Sequence, residues 1–121
     1  MLVVSRIQFR WTGLLIPFLL AGCSAHPAAG TWIAVSDNVA GFSRLVVQFD
    51  GKADIYSPGQ EASVRRCFWG GTAKQSITLD CVRASDTEIK ERYQLQVLAG
   101  RQAELSRGEE RIGLFNRQAN N

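Results

Sequence analysis

Three cysteines, Cys23, Cys67 and Cys81, and one histidine, His26, carry the sharpest side-chain chemistry in this 121-residue sequence. A thiolate serves as nucleophile, metal ligand or half of a disulfide. An imidazole is the usual proton carrier near neutral pH. Nucleophilic catalysis needs a base beside the nucleophile and a third group to orient that base. The single histidine stands in residues 24–29 (SAHPAA), small residues with one proline that read as a mobile spacer, so a solvated His26 is expected. Glu109-Glu110 falls in a turn, where solvation is the default, and the sequence has no glycine-rich phosphate cradle or metal-spaced His/Cys cluster. No enzyme activity, metal or cofactor is expected.

The segment ahead of Cys23 explains that cysteine. Residues 1–12 carry Arg6 and Arg10 and no acid, and residues 13–21 (GLLIPFLLA) form a short apolar run broken by Pro17. A basic leader, an apolar run and small residues at its end are the anatomy of an export signal. About 20 apolar residues are needed to span a bilayer, and this run is too short. Leu20-Ala21-Gly22-Cys23 resembles the lipobox of bacterial lipoproteins. That resemblance implies a diacylglycerol on the Cys23 sulfur, cleavage before Cys23, and acylation of the new amino terminus. Several acyl chains anchor firmly where one gives marginal binding. Ser24, where Asp would mark inner-membrane retention, resembles the class sorted to the outer membrane, which implies an anchored protein facing the periplasm.

The resemblance also sorts the other two cysteines. With Cys23 acylated, Cys67 and Cys81 remain as an even pair in an oxidising compartment and are expected to be bonded. Closing a loop of about 15 residues contributes roughly 3 kcal/mol in the chain-entropy treatment. No His or third Cys lies near either residue to favour a metal instead. Of 14 Lys and Arg, two lie in the leader, which leaves 12 against 11 acids. That near-neutral, interspersed balance argues against a nucleic-acid partner. The expected organisation is a signal peptide over 1–22, a lipidated tether over 23–29, one domain over 30–118 and a frayed end over 119–121.

The domain reads as strands. Period-two alternation places strands over 31–35, 42–49, 52–56, 62–69, 77–82, 89–98, 102–107 and 111–117. In the second, Leu45, Val47 and Phe49 face inward. Asp50-Gly51 signals a two-residue type I′ hairpin turn. Gly70-Gly71 would close a tight hairpin with Cys67 opposite Lys74. A register with Cys67 opposite Cys81 and Trp69 opposite Leu79 puts both cysteines on the core face, joined by a wider loop over 70–76. Ile89, Tyr93, Leu95 and Val97 share one face, and Glu91 has the same parity. An interior Glu91 would anchor a basic ligand or carry a raised pKa; at a strand end it would be solvated or paired with an arginine. The fold class is all-β: about eight short strands in a small antiparallel up-and-down β-barrel, because closure removes unpaired edges.

Gly30-Thr31-Trp32 opens the first strand and Phe115-Asn116-Arg117 closes the last. This arrangement resembles the lipocalin-like (calycin) barrels, which carry Gly-x-Trp on the first strand and a late arginine against that tryptophan. The resemblance implies that Trp32 closes one end of the barrel and that Arg117, or else Arg111, stacks on it. Small secreted inhibitors of bacterial metalloproteases are similar in barrel size and early Gly-x-Trp, but their disulfide begins near the first strand. The leading functional expectation is a non-enzymatic lipoprotein binding a small apolar ligand or an envelope component. A protein-binding inhibitor or immunity-type module, with Phe68 as contact residue, and a structural envelope factor are the alternatives. A barrel filled by Trp32, Phe49, Trp69 and Tyr93 would leave no room for a ligand.

Overall fold

The computed structural model describes residues 25–119; the expected signal segment, Cys23 and the expected frayed end from residue 120 lie outside the described residues. Eight strands follow one another: β1 Gly30–Ala34, β2 Arg44–Val47, β3 Lys52–Tyr56, β4 Arg65–Ala73, β5 Ser76–Arg83, β6 Asp86–Val97, β7 Gln102–Arg107 and β8 Glu110–Arg117. Each pairs antiparallel with its sequence neighbour, and β8 returns to pair with β1, closing the barrel. No helix occurs among the described residues.

Alternation of side chains builds the interior. Leu45 and Val47 of β2, Ala53 and Ile55 of β3, Ile77, Leu79 and Cys81 of β5, Glu91, Tyr93, Leu95 and Val97 of β6, and Ala103 and Leu105 of β7 are all buried. Trp32, Tyr93 and Phe115 are the largest buried side chains. Phase is lost once in β8: Leu105 opposes Gly113 but Ser106 opposes Arg111, so Ile112 is an extra residue in the ladder. Such a bulge resets alternation, which lets both Ile112 and Phe115 point inward.

Cys67 and Cys81 are directly opposed on β4 and β5 and form a disulfide with Cα atoms 4.0 Å apart. Trp69 opposes Leu79, the register that this bond requires. The connection differs from the expected wide loop over 70–76. Gly70 and Gly71 stay in β4, pairing with Thr78 and Ile77, and the chain reverses only at Lys74-Gln75. Cross-strand bonding carries the glycines along, because nothing in the backbone stops the ladder there.

Phe49 is a second correction. Instead of entering the core it is 77% exposed. β2 ends at Val47, the Gln48 N–H donates to the Lys52 carbonyl, and the Gly51 N–H donates back to Gln48. Phe49 therefore lies in the turn, outside strand alternation. Asp50 does not take positive φ and Gly51 does (+92°), so this is a three-residue hairpin loop with a left-handed glycine rather than the type I′ turn expected. Ile89 also leaves the core face. The β5–β6 register shifts beyond Val82, and the first residues of β6 are carried outward.

The barrel has two rims. The entry rim holds the start of β1 and the turns 48–51, 74–75 and 98–101; the far rim holds the loops 35–43, 57–64, 84–85 and 108–109.

Candidate functional site

Glu91 lies at the far rim, on the inward face of β6, with 1% of its side chain exposed. Oε1 accepts from Arg65 Nε at 2.7 Å and from the Tyr93 hydroxyl. Oε2 accepts from Arg83 Nε at 2.9 Å, and Arg107 approaches to 3.8 Å. Topology explains the convergence. Arg65 and Arg83 are direct cross-strand partners, so two like charges share one face, an arrangement that is unfavourable by itself. Glu91 sits between them and gives one oxygen to each. Arg65 also lies over the Phe42 ring at 5.4 Å, and Phe42 meets Tyr93 edge-on at 5.7 Å.

Burial alone would raise the Glu91 pKa. Hydrogen bonds from Tyr93, Arg65 and Arg83 outweigh it and hold the carboxyl at about 2, below its ordinary 4.5. Burial and the bond to Glu91 push Tyr93 up. Burial tends to lower Arg65, but its bonds to Glu91 and Tyr93 leave it raised. Glu91 is thus an ionised structural knot: of the two readings, pairing with arginine at the barrel mouth holds, and a raised pKa does not, because three donors reach its two oxygens. Among the described residues no group of His, Cys, Asp and Glu is placed to hold a metal ion.

The entry rim is closed by a different set. Arg117 and Trp32 are cross-strand partners on β8 and β1, and the guanidinium lies 4.3 Å over the indole. Arg117 also donates to the carbonyls of Ala29 (2.8 Å) and Pro27. Burial, and then the nearby Arg101, lower its pKa. Arg111 instead pairs with Glu104 at 2.7 Å. Gly30 takes φ +135°, and a Cβ there would stand 2.6 Å from Arg117 Nη1. The backbone angle therefore calls for glycine at the start of Gly-x-Trp, and any side chain there would also have to displace the Arg117 guanidinium.

Residues 26–29 are not a free spacer. Ala28 and Ala29 are buried, and the Trp32 indole donates to the Ala28 carbonyl at 2.9 Å. His26 Nδ1 accepts from the Ala28 N–H at 3.0 Å, which assigns the ring proton to Nε2, and that nitrogen donates to the Ala73 carbonyl at 2.9 Å. Its ring meets Trp69 edge-on at 5.9 Å. Sequence reasoning missed this contact because the partner of His26 is 47 residues away and the local composition reads only as spacer.

Phe68 faces outward on β4 and is 70% exposed. It separates two hollows in the outer wall. One, of about 570 Å³, is lined by Phe68, Asp80, Val82, Lys90 and Arg92; the other, of about 340 Å³, by Lys52, Asp54, Arg66 and Phe68. An Asp80–Arg92 ion pair of 2.7 Å stands beside it. Of the largest fully buried side chains, Val47 and Leu95 each border a further hollow, whereas Trp32, Leu45, Ile55, Ile77, Leu79, Tyr93, Leu105 and Phe115 border none of these hollows. No protein-family model matches the chain, and no curated protein or solved structure is similar enough to match it.

Proposed function

We propose that this protein is a non-enzymatic, outer-membrane-anchored lipoprotein, acylated on Cys23, whose barrel works through its outer wall against a protein in the periplasm. The observation that carries the reading is the occupied interior: fully buried Trp32, Tyr93 and Phe115 stand where a small apolar ligand would enter. With these side chains in the interior, the contact moves outside, to Phe68 between its two hollows. An aromatic ringed by charged groups is the usual make-up of an interface anchor. This is the inhibitor or immunity-type reading, with the lipid supplying local concentration rather than specificity.

The test joins anchor and surface. Palmitate labelling of the exported protein is expected to vanish with Cys23→Ser; labelling that persists removes the lipobox. A photo-crosslinker at position 68 is expected to trap one protein species, whereas one at the exposed position 39 traps none of it. A purified protein that instead carries a tightly held apolar small molecule would return the reading to ligand binding.

A further inference from the structure

We infer that the entry rim lies flat against the bilayer and makes a second, non-covalent contact with anionic lipid headgroups. This rests on the lipoprotein reading of Cys23. The first support is geometric. His26 is fixed to Ala73, and Arg117 holds Pro27 and Ala29, so the chain leaves the barrel at this rim. Cys23 precedes His26 by three residues, a reach of at most about 10 Å even when fully extended. A chain that short keeps the rim within about a Debye length of the membrane surface.

The second support is charge. The entry-rim turns 48–51, 74–75 and 98–101 carry Lys74 and Arg101 against Asp50, and exposed Lys52 follows directly. Counted to the flanking strand residue as at the entry rim, the far rim carries Asp37, Glu61, Asp86, Glu109 and Glu110 against Arg44, Arg65, Arg83 and Arg107, whereas the entry rim carries Lys52, Lys74, Arg101 and Arg117 against Asp50. The charge therefore falls from +3 at the rim nearer the acyl chains to −1 at the other. The third support is Phe49, 77% exposed on the first of these turns, with Leu98 on the third at 36%. Aromatic and aliphatic side chains beside lysines suit the headgroup boundary. The far rim also exposes Val35 and Val39, but without the cationic excess of the entry rim an anionic surface attracts it less. Orientation follows: Phe49, Lys52, Lys74, Leu98 and Arg101 face lipid, and the Glu91 knot faces away.

The experiment uses the processed, acylated protein reconstituted into vesicles of phosphatidylglycerol and phosphatidylcholine containing shallow spin-labelled lipid. Phe49→Trp is expected to gain fluorescence that is quenched over the wild-type background, and Val39→Trp to gain none that is quenched. In the unacylated Cys23→Ser protein, Lys52→Gln, Lys74→Gln and Arg101→Gln together are expected to lower partitioning onto phosphatidylglycerol vesicles by roughly 100-fold, about fivefold per cation. Acylated protein whose reporter at position 49 escapes quenching overturns this orientation and leaves the lipoprotein reading standing. Mass spectrometry showing no acyl group on Cys23 overturns both.

Discussion

Two arginines facing each other across a ladder need a reason, and in this protein the reason is Glu91. Its folded pKa of about 2 lies below the ordinary 4.5. The stability it contributes is therefore complete above about pH 4.5 and is lost as the pH falls toward 2. The interval corresponds to on the order of 3 kcal/mol. Unfolding free energies from urea titrations between pH 6 and pH 2.5 are expected to fall by most of this amount in the wild type. Glu91→Gln should lose about 3 kcal/mol at pH 7, because Arg65 and Arg83 are left opposed without a counter-charge, and its acid slope should flatten. An equally steep slope in the variant would refute the assignment. Parity along β6 revealed that Glu91 faces inward, but not its partners. Arg65, Arg83 and Arg107 come from three other strands, and only the closed register brings them together. Arg117 and Trp32 were easier to read, since each lies in a short motif at one end of the domain.

Among the elements, the β4–β5 hairpin carries the covalent bond. Its register was legible because two cysteines on one face allow only one direct opposition, and Trp69 against Leu79 agrees with it. Its length was not legible, since Gly70-Gly71 looks like punctuation while ladder hydrogen bonds treat it as strand. The same competition governed Asp50-Gly51: the dipeptide correctly signalled a hairpin, but the extra residue in the loop moved Phe49 out of the core. Opening the Cys67–Cys81 bond removes a constraint worth roughly 3 kcal/mol. The double substitution Cys67→Ala, Cys81→Ala is expected to lower Tm by about 12–24 °C. A reducing agent should do the same to the wild type, and a shift of only a degree or two would show that the hairpin holds without its bond.

For the molecule as a whole, closure and filling are one property. A small eight-stranded barrel is just wide enough for its own side chains, and here Trp32, Tyr93 and Phe115 occupy that width. Phe115→Ala is expected to cost about 3–5 kcal/mol, a large share of what a domain of this size possesses. Calorimetry should find the variant close to unfolding at 37 °C; a loss below 1 kcal/mol would mean the interior has slack enough to admit a guest. Barrel topology was legible because short strands in order must seal their edges, whereas loop-to-rim packing, His26 above all, was hidden by distance along the chain. The seam between β8 and β1 has a consequence for biogenesis. A polypeptide synthesised amino end first delivers its sealing strand last. Until residue 117 emerges, the nascent sheet is an open arc with two bare margins, exposed to mispairing with other chains. Truncations in β8 should therefore yield aggregates rather than a smaller barrel.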